Sequence, residues 1–372
     1  MSDGPARYEL EVSVFGPGIG ECVVAHLGDG AWIVVDSCVH PRSKVPIAID
    51  YLESLSVDIA TQVRLVVATH WHDDHIKGLA ETFEKAASAK FVNSAAYPLH
   101  QLTRLVSVGN WATPQSSATR EYAAIFKILS ERRGAGERSD AVGPIRALAN
   151  RAILSLPAGT GRVVDAAVHA LSPSDAICAR SEEALSRALS VVNEKRRPAA
   201  PGANEHSVVL WLKIGVLDVL LGADLEHVPG SNEGWKDIIG STARPLGMAF
   251  CFKVPHHGST NADCPDCWTG LLREKPIAVV TPYSRSGLPR TTDLDRLCSR
   301  TSDVYLTSDA SNFGLPRREN AVEKTLREVA VAGSRKAITG QQIGHVRVRC
   351  DARELGAVPN VAVFEGAKRR CA

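Results

Sequence analysis

An α/β fold is what the sequence predicts. Three observations carry that prediction: short β-branched apolar segments recur through the first 95 residues, a helix-spaced segment interrupts them, and the strand pattern resumes from Ser207. Residues 8–15 (Tyr-Glu-Leu-Glu-Val-Ser-Val-Phe) alternate in polarity and predict a first strand. Cys22 to His26 and Ala31 to Val35 predict two more, joined as a hairpin at Gly28-Asp29-Gly30. Val45 to Leu55 carries apolar residues at helical spacing, and it leads into Val63–Ala68, a β-branched run that reads as a buried strand. A helix through Leu79 to Ala86 and a short strand at Lys90 to Asn93 complete this half.

Residues 95–203 differ in texture and are expected to form a mostly helical insertion between two halves of one domain, residues 1–94 and 204–372. Thr119 to Arg133 and Ser181 to Arg196 read as amphipathic helices, with Ser181 as an N-cap for the second. Glu194 to Gly202, rich in charge and proline, reads as a linker. Ser207 to Ile214 and Val216 to Leu221 then read as strands, and residues 341–350 and 360–365 as strands beyond the catalytic core, an edge addition or a pairing surface.

At 372 residues with 44% hydrophobic content, the chain can bury a large core as one elaborated domain or two. A formal net charge of +2 supplies no global field that would draw nucleic acid or an anionic membrane. Residues 1–10 lack an apolar signal core, and no run of about 18 apolar residues exists to span a bilayer. Nine cysteines without framework spacing predict reduced thiols in a cytoplasmic protein. The close pair Cys264 and Cys267 reads either as half of a metal or redox motif or as a loop turn. Lys368-Arg369-Arg370 reads as a solvated tail.

The chemistry is concentrated in His70-Trp71-His72-Asp73-Asp74-His75, directly after the Val63–Ala68 strand. Three of the chain's 12 histidines fall in that six-residue window. His70 and His72 suit one ion, Asp74 and His75 a second, and imidazole with carboxylate suits zinc or a similar first-row metal. Asp224 follows a buried strand and the small turn Gly222-Ala223, which fixes a carboxylate and leaves room for an ion. His256-His257 follows another apolar approach, and one of the two is expected to ligate while the other contacts substrate. Ser259 and Asn261 either donate hydrogen bonds to a phosphate oxygen or cap their own turn. Asp36, at the end of the third strand, is placed to accept from the N–H of a ligating imidazole.

Two divalent ions about 3.5–4 Å apart lower the pKa of a shared water toward neutrality and clamp the attacking and leaving oxygens. Hydrolysis is therefore the expected reaction class, and Asp74 is expected to orient or deprotonate the bridging hydroxide. No G-x-S-x-G elbow competes for the role of nucleophile.

These residues resemble the metallo-β-lactamase-fold hydrolases. The family's H-x-H-x-D-H signature stands here as His70, His72, Asp74 and His75, its later aspartate as Asp224, and its closing histidine as one of the pair His256 and His257. Three further stretches look like the hydrolase domain of the bacterial DNA-uptake competence channel and its soluble relatives: Gly16-Pro17-Gly18-Ile19-Gly20-Glu21, Asn204-x-x-Ser207, and Lys253-x-x-His256-His257-Gly258-Ser259. Relatives also place late strands where Pro276 to Tyr283 and Asp303 to Ser308 stand. The resemblance implies a four-layer αββα sandwich with the metals at one edge, two divalent ions (zinc, or manganese), and a phosphodiesterase or nuclease acting on nucleic acid or nucleotides. A small-molecule hydrolase for a cyclic nucleotide, a phosphocholine ester or a lactone is the alternative, and a binding protein with a degenerate site a third reading. The chain departs from the family in two places. Another first-metal histidine is usual, and His100, His169 and His206 are the candidates here. Gly287-Leu288-Pro289 stands where relatives often carry a histidine before proline.

Overall fold

The computed structural model describes residues 4–97, 117–134, 143–159, 161–193, 204–227, 233–308 and 343–371. Sixteen strands among them build two eight-stranded sheets. The first sheet takes β1 (Glu9–Phe15), β2 (Cys22–Leu27), β3 (Trp32–Val35), β4 (Val63–Ala68), β5 (Lys90–Ser94), β6 (Ile145–Ala147), β14 (His345–Asp351) and β15 (Asn360–Phe364), in the order β15-β14-β1-β2-β3-β4-β5-β6. The second takes β7 (Arg151–Leu156), β8 (Ala166–Ala170), β9 (Leu210–Ile214), β10 (Leu217–Leu221), β11 (Ala249–Lys253), β12 (Leu272–Val280), β13 (Val304–Leu306) and β16 (Lys368–Arg369), in the order β16-β13-β12-β11-β10-β9-β8-β7.

Each sheet is antiparallel in one part and parallel in the other. In the first, β15 through β3 pair antiparallel and β3 through β6 parallel. In the second, β7 through β10 pair antiparallel and β10 through β13 parallel, with β16 antiparallel at the edge. Parallel strands end at the same side, so the loops after β3, β4, β10, β11 and β12 gather at one edge of the molecule. That is where open α/β sheets hold ligands.

Three apolar layers account for the stacking. Leu10, Val12, Val14, Leu65, Val67, Leu210, Leu212, Val219 and Val279 fill the space between the two sheets. The outer face of the first sheet packs Val24, Val34 and Val66 against helices Ile47–Ser54, Leu79–Lys85 and Ser117–Gly134. The outer face of the second packs Leu220, Phe252 and Ala278 against helices Trp235–Gly240, Pro265–Gly270 and Thr291–Cys298. The result is the four-layer αββα sandwich. Trp211 and Trp235 are fully buried, with their indole N–H groups donating to Asp218 Oδ1 and the Leu225 carbonyl at 3.0 and 2.9 Å. They are core residues.

Four expectations are corrected. The stretch read as a mostly helical insertion also contributes strands to both sheets: β6 edges the first, and β7 and β8 extend the second. These strands are short, alanine-rich and half-exposed, and β6 and β7 carry arginine, so no apolar run announces them. The second helix of that stretch begins at Asp175, and Ser181 lies inside it, donating from its hydroxyl to the Ala96 carbonyl at 2.6 Å. Lys368 and Arg369 are paired with Leu306 and Tyr305 on β13, and Arg369 binds Asp303, so this basic segment is an edge strand rather than a solvated tail. Finally, Cys298 and Cys371 form a disulfide, because β16 brings the chain end beside the Thr291–Cys298 helix with a Cα separation of 5.7 Å. The thiols are thus not all reduced. The expected linker Glu194–Gly202 lies outside the described residues.

Candidate metal centre

β3 ends at Val35, and Asp36 follows in a left-handed conformation (φ 57°), which turns its carboxylate toward the end of β4. Its Oδ1 accepts from the Thr69 N–H at 2.8 Å, and its Oδ2 from the Thr69 hydroxyl at 2.7 Å and His75 Nδ1 at 2.8 Å. Because the Thr69 hydroxyl donates to Asp36, it accepts from His70 Nδ1, 3.0 Å away. One buried carboxylate therefore fixes two imidazoles, His75 directly and His70 through Thr69. Both are left with Nε2 facing the other way.

Those inward-facing nitrogens converge on Asp224. Its Oδ2 lies 3.9 Å from His70 Nε2, 3.3 Å from His75 Nε2 and 3.6 Å from His257 Nε2. His72 Nδ1 is 3.2 Å from His70 Nε2, so His70, His72 and Asp224 make one ligand set. A second grouping brings together Glu21, His75, His257 and Asp224, and Asp74 stands beside it, with Oδ2 3.7 Å from His75 Nε2 and 3.4 Å from His257 Nε2. The backbone makes this possible. Gly222 leaves no room for a side chain, since a Cβ there would stand 2.9 Å from the Lys253 carbonyl and 3.0 Å from Pro255. Ala223 then takes a left-handed φ of 45° to aim Asp224 inward. The left-handed Ala223 sits directly beside the candidate ligand Asp224.

The histidine pair divides its work. His256 and His257 are both left-handed (φ 46° and 55°), so consecutive side chains diverge. His257 is buried, with Nδ1 donating to the Thr281 carbonyl at 2.8 Å and Nε2 facing the two aspartates. His256 is partly exposed and faces Asn204 Nδ2 and Glu226 Oε1, each at 3.3 Å. Asn204 Nδ2 also donates to Glu226 Oε1 at 2.8 Å. His257 is the member that stands in a grouping able to hold a metal ion, with Glu21, His75 and Asp224.

Of the candidates for an additional ligand, His100 lies outside the described residues. His169 is on β8, opposite Trp211 of β9. His206 turns Nδ1 to the Tyr97 hydroxyl at 2.9 Å, and the ligand groupings among the described residues do not include it. Ser259 is half-buried and Asn261 exposed; the Asn261 carbonyl accepts from the His227 N–H at 2.7 Å, which ties this loop to the one carrying Asp224. Cys264 and Cys267 are buried and hydrogen-bonded to each other, and that bond pulls the Cys264 thiol down to about 7; the metal groupings among the described residues do not include them.

Four residues near the ligands carry no role in the sequence reading. Glu21 is buried, accepts from the Thr281 hydroxyl at 2.6 Å and pairs with Lys253 Nζ at 2.6 Å. Lys253 is buried too and donates to the Ala223 carbonyl at 3.0 Å. Tyr283 stacks its ring on His257, with centroids 4.9 Å apart and planes inclined by 18°. Glu226 holds Asn204 and His256, as above. The glycine-rich stretch and the Lys-x-x-His-His element contain two of these four, which is the signal that pointed to them without assigning a function.

The electrostatics match a place built for cations. Burial alone would lower His75, yet Asp224, Glu21, Asp74 and Asp36 around it hold its imidazole well above the usual range. Burial would raise Asp224, but the imidazoles of His75, His257 and His70 hold it well below the carboxylate range. Asp74 is likewise held down against burial, by His75 and by a hydrogen bond with His257. Burial, reinforced by His75, keeps His70 well below the ordinary imidazole range, the neutral form that ligates metal. Asp224 Oδ1 and His75 Nε2 are buried without a hydrogen-bond partner. Buried polar atoms in that condition fit coordination. Glu21, Asp36 and Asp224 are buried with Lys253, and half-buried Asp74 stands beside them, an excess of negative charge that bound cations would offset.

Residues 15–112 match the family model of the Metallo-beta-lactamase superfamily. No curated protein matches the chain. Among solved structures that resemble it is Zn(2+)-bound PqqB from Methylobacterium extorquens, 13% identical, with a TM-score of 0.26. That match covers 62% of this chain and 58% of PqqB. The matched segment runs from the end of β1 through His70, His72, Asp74 and His75, and the two stacked sheets with helices on their outer faces are consistent with a metallo-β-lactamase-fold sandwich.

Proposed function

We propose that the chain is a dinuclear metal-dependent hydrolase of phosphodiesters, a phosphodiesterase or nuclease. The observation that carries this reading is the convergence on Asp224 Oδ2, with His70, His75 and His257 Nε2 at 3.9, 3.3 and 3.6 Å from it. His70, His72 and Asp224 would hold the first ion, and Asp74, His75, His257 and Asp224 the second, with zinc or manganese matching the donor set. Bound there, the ions would lower the pKa of water toward neutrality and stabilise both the entering and departing oxygens of an in-line displacement.

The chain's own groups do the rest. Asp36 keeps the His75 Nδ1 proton, and Thr69 the His70 Nδ1 proton, so the Nε2 lone pairs point inward. Asp74 stays ionised, and its Oδ2 lies at the open side of the ligand set with 14% of the side chain exposed. It is the group that would accept a proton from the attacking water. Lys253 draws Glu21 and the Ala223 carbonyl together and so sets the Asp224 turn. The resemblance of Gly16–Glu21, Asn204-x-x-Ser207 and Lys253-x-x-His256-His257 to the DNA-uptake hydrolase domain favours a nucleic acid or nucleotide substrate. The test is cleavage of single-stranded DNA, RNA and bis(p-nitrophenyl) phosphate by purified chain with added zinc or manganese. Cleavage that disappears in His72→Ala and Asp74→Ala supports the reading. No cleavage of any phosphodiester, with a lactone or neutral ester turned over instead, overturns it.

A further inference from the structure

We propose that Arg296 is a positioning residue for the metal centre: its guanidinium clamps the left-handed turn that presents His257, and so sets the affinity for the second ion. This rests on the dinuclear reading and deepens it, because it assigns the hold on one ligand to a helix outside the ligand set.

The turn needs a hold from outside. His256, His257 and Gly258 are left-handed in succession, with φ of 46°, 55° and 81°. Consecutive left-handed residues that carry a Cβ are unfavourable, and they persist only where their surroundings fix them. At the entry, the His256 N–H donates to the Ala223 carbonyl at 3.0 Å, next to Asp224. Within the turn, the Gly258 N–H reaches the Pro255 carbonyl at 3.0 Å and the Ser259 N–H the His256 carbonyl at 2.9 Å. At the exit, the Gly258 carbonyl accepts from Arg296 Nη2 at 2.8 Å. That last bond comes from a side chain on the Thr291–Cys298 helix, and it is what ties the end of the turn to a regular element.

The guanidinium is itself fixed. Its Nη1 donates to Asp293 Oδ1 at 2.8 Å and to the Thr260 hydroxyl at 3.1 Å, and its Nε faces Asp263 Oδ2 at 3.4 Å. The Thr260 hydroxyl donates in turn to Asp293 Oδ1 at 2.8 Å. Asp293 is buried, and its Oδ2 accepts from the Arg290 N–H at 2.9 Å at the start of the same helix. Arg300 grips both oxygens of Asp263, at 2.5 and 2.8 Å. A planar fork so held ties Gly258 and Thr260, on either side of Ser259, to one helix, which a single lysine ammonium cannot reproduce. With most of its donors spent on the chain, Arg296 acts through His257 and not on substrate. The sign of the effect separates this role from simple charge. Removing Arg296 leaves Asp263 and Asp293 with less counter-charge, and charge alone would then tighten the binding of a divalent cation. Loss of positioning predicts weaker binding.

The test is a zinc titration of the full chain against a competing chromophoric chelator, comparing the parent with Arg296→Ala, Arg296→Lys and Leu294→Ala. Leu294 is buried on the same helix in the outer apolar layer of the second sheet, so its truncation weakens the helix packing without removing the clamp. Arg296→Ala should bind the second zinc about tenfold more weakly and the first as the parent does. Arg296→Lys should recover part of the loss. Leu294→Ala should keep both affinities although its urea midpoint falls. In cleavage of bis(p-nitrophenyl) phosphate, Arg296→Ala should need about tenfold more zinc for half the maximal rate, with kcat at saturating zinc near the parent's. An Arg296→Ala chain that holds the second zinc as tightly as the parent, or more tightly, overturns the inference. Equal weakening of both ions overturns it too, as does the same loss in Leu294→Ala. Zinc affinity that depends on Arg296 in a chain without phosphodiesterase activity would uphold the clamp and defeat the functional reading alone. A parent chain that holds fewer than two zinc ions would defeat both.

Discussion

Replacing Lys253 by methionine removes the lone lysine or arginine that is fully buried among the described residues. Its Nζ stands 2.6 Å from Glu21 Oε1, 3.0 Å from the Ala223 carbonyl and 4.0 Å from Asp224 Oδ1. At an effective dielectric near 20, the Glu21 contact alone is a gross attraction of about 6 kcal/mol. Methionine keeps most of the volume and relieves the desolvation of the ammonium, so the net change is smaller. Breaking one side of a buried pair leaves the other charge uncompensated and costs about 3–5 kcal/mol. Glu21 would then stand uncompensated in a site that already buries Asp36 and Asp224. Urea unfolding at pH 7 should show the loss as a lower midpoint at an unchanged m-value. The double variant Lys253→Met with Glu21→Gln should lose less than the sum of the two single changes, by more than about 1 kcal/mol, because the pair is removed together. A loss below about 1 kcal/mol for Lys253→Met, or additivity in the double variant, would refute the pairing argument.

Metal content should separate the two histidines of the pair: His257→Ala is expected to lose one equivalent of bound zinc by mass spectrometry of dialysed protein, and His256→Ala to keep both. Asp36→Asn should weaken metal binding by about ten- to a hundredfold in a competition titration, through loss of the acceptor that orients His75 and His70. Acid stability follows from His345, which burial pushes down to about 3, with Arg347 and Arg349 adding to it. The unfolded chain binds that proton near pH 6.5 while the folded chain refuses it, so the contribution is complete above about 6.5 and is lost as pH falls toward 3. Moving from pH 7 to pH 5 should cost about 2 kcal/mol through this residue. His345 stacks between Phe15 and Phe364, so His345→Phe should fold and show a flatter stability profile in urea across that range.

The first half of the fold was legible because its signals are local. The Glu9–Phe15, Val63–Ala68 and Leu79–Lys85 elements lie within a residue or two of where alternation and helical spacing put them. The H-x-H-x-D-H cluster was legible for the same reason: four candidate ligands share one turn after one strand. β6 to β8 were not, because strands at a sheet edge need only a few inward side chains, and the alanines of β8 suit helix and strand alike. The identity of the ligating histidine was hidden by the backbone. Two consecutive left-handed residues leave no trace in composition, and His256 and His257 look equivalent until φ is known. Glu21 and Lys253 were hidden by distance. Their pairing spans the two halves of the chain, and a lysine after an apolar strand ordinarily marks the solvent end of that strand.

Anomalous diffraction from crystals of the zinc-loaded chain tests the centre most directly. Two peaks about 3.5–4 Å apart on either side of the Asp224 carboxylate, one beside His70 and His72 and one beside Asp74, His75 and His257, are the result expected here. A single peak held by other residues, or none within reach of Asp224, would contradict it.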